Sequence, residues 1–308
     1  MQATSYPLQD IKNDFKKTFH IIIVMSFCCN AVEKHFKIRY NSDVITILII
    51  NYQKRRGYIM SGKGLYDIHC HIVPSVDDGS SDIEESYHML QMEYQQGVRN
   101  IIVTPHFRFQ MFETPVETVE QQFLALKQIA RKIAPDLHIY LGCEFHSNMQ
   151  MVEMLLNNEV HTMAGSHYVL TEFSGISSAD YIYDRLYSLL THGFKPIIAH
   201  IERCECLRKD LDFVEELTNL GAYMQINADS VIGKEGFAVK RYCRKLMKQN
   251  LLSFVASDCH GIQERISRIG EAYAYISKKQ GSTYADRIFI ENPQEILIDA
   301  KKYQKEMD

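Results

Sequence analysis

The chain has 308 residues, 46% of them hydrophobic and 23% charged, with a formal net charge of −4. That size supports a substantial core in one large or two small domains. The slightly acidic balance, without a basic stripe carrying interleaved aromatics, gives no support for nucleic-acid binding. Eight cysteines are scattered through a chain too long to need staples, and they read as reduced thiols of a cytoplasmic protein.

Residues 1–59 differ from the rest. Two short apolar runs, "HIIIVMSFCCNAV" and "VITILIINY", flank the polar, basic "EKHFKIRYNSD". The first run is 13 residues long, short of the roughly 20 that span a bilayer. Lys12, Lys16 and Lys17 precede it as in a signal peptide, but no clean small-residue cleavage site follows. Three readings stand for this N-terminal extension: a leader or mis-assigned start ahead of Met60, a packed extension, or a membrane-targeting segment. The functional domain is expected over residues 60–308.

From residue 64 the chain alternates β-branched runs with amphipathic stretches. "GLYDIHCH" reads as a strand, and Ser81 with Glu84 as a capping box opening a helix over "IEESYHMLQMEYQQG". "RNIIVTPH" is the second strand. Thr114, Pro115 and Glu117 suggest another capped helix, running to about Ile133. "HIYLGCEF" precedes a short helix near Met149–Asn157, and "SHYVLTEF" one over Ala179–Thr191. "KPIIAHIE", "AYMQINAD" and "LSFVASDCH" each precede a further helical stretch, the last over "ERISRIGEAYAYISKK". Seven strand–helix units imply a parallel α/β architecture, best fitted by a TIM-like barrel, with an open doubly wound sheet as the alternative. No G-x-G-x-x-G follows the first strand, so a dinucleotide site has little support.

Metal-ligand side chains close six of the seven strands: His69 and His71, His106, Glu144, Glu172, His200, then Asp258 and His260. The exception is "MQINAD". In a barrel, strand C-termini converge on the face where active sites are built. One strand-end histidine would mean little, whereas eight ligand-type residues at one topological position favour a metal cluster. Strand alternation puts His69 and His71 on one face and Cys70 on the other, and treats Asp258, Cys259 and His260 alike. A His/carboxylate set without thiolate suits Mn²⁺, Fe²⁺ or Zn²⁺, with the carboxylates leaning toward Mn²⁺. "CHGIQER" matches the C-x5-R spacing of cysteine-dependent phosphatases, but Glu264 would put negative charge in the cradle and one Gly makes a poor nest of donors. A thiol mechanism is therefore disfavoured.

With "DIHCHIVPSVDDGS", "VTPHF", "GCEF", "YVLTEF", "IIAHIER" and "SDCHGIQER" in that order, the chain from about Leu65 to Asn292 resembles the bacterial metal-dependent tyrosine-protein phosphatases of the polymerase-and-histidinol-phosphatase (PHP) superfamily, found with capsule and exopolysaccharide loci. The resemblance implies a distorted TIM-like (β/α)7 barrel holding two or three ions. His69, His71, Glu144 and Asp258 would hold one ion. Glu144 would bridge to a second, completed by His106 and His200, and Asp78 with His260 would help hold a third. Arg203 and Arg265 match phosphate-gripping arginines, and Glu172 an acidic position beside the cluster. The family usually has Gly where Ser75 stands and Pro where Ile201 stands, so loop shape and substrate fit depart from the pattern.

The implied activity is hydrolysis of phosphotyrosine on the tyrosine-rich tail of a partner kinase that controls polysaccharide export, by metal-activated water. Membrane contact would come only through that kinase or the N-terminal segment, and the sequence leaves a homo-oligomer open. The aromatic loop "FRFQMFETP", carrying Arg108, is either part of an open substrate rim or a packed cover. The nearest alternative is a small-molecule phosphoesterase such as a histidinol-phosphate phosphatase on the same scaffold. A non-catalytic phosphotyrosine- or kinase-binding regulator is the alternative from another class.

Overall fold

A computed structural model describes residues 64–307. The proposed extension over residues 1–59, and the boundary at Met60, lie outside the described residues. Among the described residues nine strands run in chain order: β1 (Leu65–Asp67), β2 (Val98–Val103), β3 (His106–Phe107), β4 (His138–Leu141), β5 (Glu144–His146), β6 (Tyr168–Glu172), β7 (Lys195–Ile198), β8 (Tyr223–Asn227) and β9 (Phe254–Ala256). Every paired neighbour is parallel, in the orders β1-β2-β4 and β3-β5-β6-β7-β8-β9.

These nine strands are the seven expected runs, two of them interrupted. The second run breaks at Thr104–Pro105, where proline has no N–H to give the ladder. The run beside it breaks at Gly142–Cys143. Gly142 N to Val103 O (2.8 Å) and Glu144 N to Pro105 O (3.1 Å) carry the pairing across both gaps. The ends meet where Cys70 bridges Cys259, with His71 N donating to Cys259 O (2.9 Å) and Asp258 N to His69 O (2.8 Å). The result is the TIM-like parallel α/β barrel, whose strand ends share one mouth.

The helices lie where the amphipathic stretches put them, with shifted starts. Helix α1 (Ile83–Gln95) is capped by Asp82, whose carboxylate accepts from Glu84 N and Glu85 N; Ser81 instead donates to Glu85, so the expected Ser81–Glu84 box does not form. Helix α2 (Val116–Ile133) has no side-chain cap, because Thr114 Oγ1 donates to Val76 O (2.7 Å) in the loop across from it. Next come α3 (Met151–Leu156), α4 (Ala179–Thr191), α5 (Glu205–Lys209), α6 (Leu211–Leu220), α7 (Ala228–Ile232) and α8 (Phe237–Lys248). Helix α9 spans Ile269–Gln280, later than expected, because residues 261–267 are taken by the loop after β9.

Helices α10 (Ser282–Asp286) and α11 (Asn292–Met307), beyond the alternating pattern, are joined by a π-helical turn. That turn buries Ile288, Phe289 and Ile290 against β1 and β9, beside the seam. Asp299 of α11 ties this end down, accepting from Lys195 Nζ (2.5 Å) and His167 N (2.8 Å). The main apolar core includes the fully buried Ile68, Ile101, Leu170, Ile198, Ile226 and Val255.

Candidate metal centre

At the mouth, the backbone of several strand ends leaves its relaxed range. His200 (φ 29°), Asp258 (φ 52°) and Arg265 (φ 45°) occupy the left-handed region, which costs a non-glycine residue of order 1–3 kcal/mol and clusters at functional sites. Ser75, where the family usually has Gly, is also left-handed at φ 59°, which explains the usual glycine; its Oγ bond to Ser81 O (2.6 Å) offsets some of the strain. Gly79 of "DDG" is needed for closeness: a Cβ there would lie 2.2 Å from His71 O.

The expected ligand residues converge. His69 Nε2 lies 3.0 Å from Glu144 Oε2 and 3.2 Å from His71 Nε2, and both imidazole nitrogens lie 3.6 Å from Asp258 Oδ1. Glu144 Oε2 is also 3.0 Å from His106 Nδ1, and its Oε1 is 2.8 Å from His200 Nε2. On the outer side Asp78 Oδ1 stands 3.4 Å from both His106 Nε2 and His260 Nε2. Three overlapping groups result, each with its ligand atoms close enough to share an ion: His69, His71, Glu144 and Asp258; His106, Glu144 and Glu172; and His71, Asp78, His106 and His260. His200 flanks the second group, 3.8 Å from Glu172 Oε1. Glu172, expected as an acidic neighbour, thus stands where a ligand would.

The donor chemistry fits cations. Glu144 Oε2, His106 Nδ1, His260 Nε2 and Glu172 Oε2 are buried polar atoms without hydrogen-bond partners, all facing this cluster. Orphaned buried acceptors are costly unless something positive sits among them. The charge balance says the same. Burial would raise Glu144, but His69 and His106 hold it well below the usual carboxylate range. Asp258 is likewise depressed against its burial, by His69 and Arg203. Burial would lower His71, yet Asp77 and Glu144 hold it well above an ordinary imidazole. Burial and then His71 push His106 down to about 4. Crowded imidazoles that cannot all carry protons suit metal binding.

Several residues missed as functional hold these side chains in place. Asp77 Oδ2 faces His71 Nδ1 at 2.7 Å and accepts from His106 N (2.9 Å), while Oδ1 accepts from Gly79 N (2.9 Å). On β8, the one run without a ligand, Gln225 reaches His69 and Asn227 reaches Asp258. Their separation by two, at the end of a strand, was the available signal. Asp67 departs from the alternation that pairs His69 with His71. It turns outward, accepts from Ser257 N (3.0 Å), and lies with Glu93 and Cys259 in a fully buried group behind the strands. Burial and then Asp67 push Glu93 well up.

Both arginines converge on one carboxylate. Arg203 Nη2 donates to Asp258 Oδ2 (2.8 Å) and Arg265 Nη2 to Asp258 Oδ1 (2.9 Å), with about two-fifths of each side chain exposed at the mouth. The thiols face away. Cys70 Sγ points to Ile102 O and Cys259 Sγ to Glu93 Oε1, both fully buried, and burial raises the Cys70 thiol well above its usual range. The "FRFQMFETP" loop is packed at one residue and open at others. Phe112 stacks on His106 with centroids 5.1 Å apart, while Phe109 and Met111 are exposed.

Comparison with known proteins agrees with this geometry. The chain is 39% identical over 240 residues to the tyrosine-protein phosphatase CpsB of Streptococcus pneumoniae, covering 76% of this chain and 99% of that one. It is 31% identical over 218 residues to the tyrosine-protein phosphatase YwqE of Bacillus subtilis, covering 71% and 86%. A crystallographic study of YwqE from B. subtilis and CpsB from S. pneumoniae, described as unique metal-dependent tyrosine phosphatases, supplies a structure that superposes with a TM-score of 0.68 at 30% identity, over 77% of this chain and 92% of that one. The phosphotriesterase homology protein of Escherichia coli shares the fold alone, at 15% identity and a TM-score of 0.50 over 76% and 98%. Residues 65–298 match the family model described as capsular polysaccharide synthesis, CpsB/CapC, and the chain belongs to that family.

Proposed function

We propose that this chain is a metal-dependent protein-tyrosine phosphatase of capsular polysaccharide synthesis, acting on phosphotyrosine of a partner tyrosine kinase in the cytoplasm. The observation that carries it is the overlap of three His/carboxylate groups, two of them sharing Glu144 and the third joined to them through His71 and His106, with Arg203 and Arg265 at their rim. The phosphotyrosine specificity and the capsule role rest on the relatives.

His69, His71, Glu144 and Asp258 would hold one ion; Glu144, His106, His200 and Glu172 a second; Asp78 and His260, beside His71 and His106, a third. Mn²⁺ is the proposed metal because the donors are imidazoles and carboxylates without thiolate. When bound, such ions supply a water acidified toward neutral pH and positive charge against phosphoryl oxygens.

The chain's own residues do the rest. Arg203 and Arg265 each carry five N–H donors, more than Asp258 can accept, so both retain donors for the non-bridging phosphoryl oxygens. Asp258, pulled between the arginines and His69, keeps both guanidiniums beside the cluster. Glu172 is raised by burial and then by Glu144. With phosphotyrosine the leaving phenolate has a pKa of about 10 and needs little acid assistance. The exposed Phe109 and Met111 leave an apolar rim rather than a closed pocket, which suits a peptide more than a small metabolite.

The test is elemental analysis of the purified protein, with turnover of phosphotyrosine peptides and of histidinol phosphate measured as Mn²⁺ is restored after chelation. His106→Ala should abolish peptide turnover and lower metal content while keeping the fold. Full turnover with undiminished metal in that variant, or preference for histidinol phosphate, contradicts the proposal.

A further inference from the structure

Beneath the ligand cluster two buried amides on β8 form a chain whose direction is set by the backbone. His200 N donates to Gln225 Oε1 (2.7 Å), and a backbone N–H can only donate. The oxygen of Gln225 is therefore committed to that side, and its Nε2 must donate onward, to Asn227 Oδ1 (2.9 Å). That in turn commits Asn227 Nδ2 to donate to Asp258 Oδ2 (2.7 Å). Asn227 N donates to Glu202 Oε1 (2.8 Å), which anchors the residue itself. Gln225 is fully buried and Asn227 nearly so, which leaves no solvent to substitute for a mispointed group.

The other lone pair of Gln225 Oε1 faces His69 Nδ1 at 3.3 Å. An oxygen there accepts only from a protonated Nδ1, so His69 is held as the Nδ1–H tautomer. Its Nε2 lone pair is then directed at the space shared with His71 Nε2 and Glu144 Oε2. We propose that Gln225 and Asn227 are positioning residues: a one-way amide relay that sets the tautomer of His69 and the orientation of Asp258 for metal binding. The position of β8 explains why it carries no ligand of its own. It lies between β7, which leads to His200, and β9, which leads to Asp258, so its end side chains can brace both neighbours. A polar pair that merely filled the interior would have no fixed direction and no effect on which nitrogen of His69 carries the proton.

The inference rests on the metal-centre reading, but its main test does not need metal. Long-range ¹H–¹⁵N correlations on the metal-free full chain at alkaline pH report the tautomer of His69. The expected result is a proton on Nδ1 in the wild type and in Gln225→Glu, which keeps the accepting oxygen, with the proton moved to Nε2 or exchanging in Gln225→Leu. Titration with Mn²⁺ alone should show binding weakened about 10–100-fold in Gln225→Leu and Asn227→Leu, as for other ligand-orienting partners, and less than the product of the two in the double variant. A wild-type His69 protonated on Nε2 overturns the relay without any variant. So does a Gln225→Leu protein with an unchanged tautomer and wild-type Mn²⁺ affinity. Absence of Mn²⁺ binding in the wild type counts against the metal centre instead, and the tautomer still decides the relay.

Discussion

Asp77→Asn exchanges one acceptor oxygen for a donor at a place with three donors and no room for a fourth. Oδ1 of Asp77 accepts from Gly79 N, while Oδ2 accepts from His106 N and faces His71 Nδ1, all within 2.9 Å. With the new NH₂ in the Oδ2 position, it opposes the His106 N–H. It also offers a proton to His71 Nδ1, which drives the ring proton to Nε2, the nitrogen aimed at Glu144. With the amide reversed, the NH₂ opposes Gly79 N instead. Either way one backbone donor beside a fully buried side chain loses its partner, at about 1–3 kcal/mol. Loss of the group that orients His71, a proposed metal ligand, adds a roughly 10–100-fold weakening of binding, about 1.4–2.8 kcal/mol. Urea unfolding of the metal-free protein reads the first cost. Mn²⁺ titration at alkaline pH, where proton competition is small, reads the second. Metal-free stability equal to wild type, together with unchanged Mn²⁺ affinity, would refute the reasoning.

Three further outcomes are expected. Because Asp77 and Glu144 hold His71 above its ordinary pKa despite burial, Mn²⁺ must displace a proton there. Affinity should rise with pH, and calorimetry in buffers of differing ionisation enthalpy should show proton release at neutral pH; no release contradicts this. Cys259→Ser should keep phosphatase activity close to wild type, since the thiol faces Glu93 behind the strands, and loss of turnover with metal content intact would revive a thiol mechanism. Asp299→Ala should cost about 1–3 kcal/mol by freeing Lys195 and His167 from α11, measured by urea unfolding. Burial raises Asp299, but Lys195 and the His167 N–H lower it further, to a net depressed pKa. Its contribution is thus present above the unfolded carboxyl value of about 3.9 and lost as pH falls through the folded value. A wild-type-minus-variant difference that grows on acidification would contradict that sign.

Much of the barrel was legible because its signals are short-range. Alternation of β-branched runs with amphipathic stretches marked seven staves, and the two-residue period put His69 and His71 on one face with Cys70 on the other. The ligand types at strand ends needed only the rule that parallel strand termini share a mouth. The helix starts were less legible. Ser81 and Thr114 have good capping chemistry, but Asp82 competes for the first and Val76 O, from a distant loop, takes the second.

The partnerships made when the seam closes come from the tertiary fold. Asp67 shares the parity of His69 in sequence, yet Ser257 on the last stave and Glu93 on α1 draw it outward. Asp77 gains its partners only when the loop folds onto His71 and His106. Gln225 and Asn227 carry no ligand chemistry, and their role exists only because β8 lies between the strands leading to His200 and Asp258. Which side chains are candidates for metal binding follows from residue type and local period. Which side chains hold them in place depends on contacts between residues far apart in the chain, such as Gln225 with His69, and only closure of the barrel creates those.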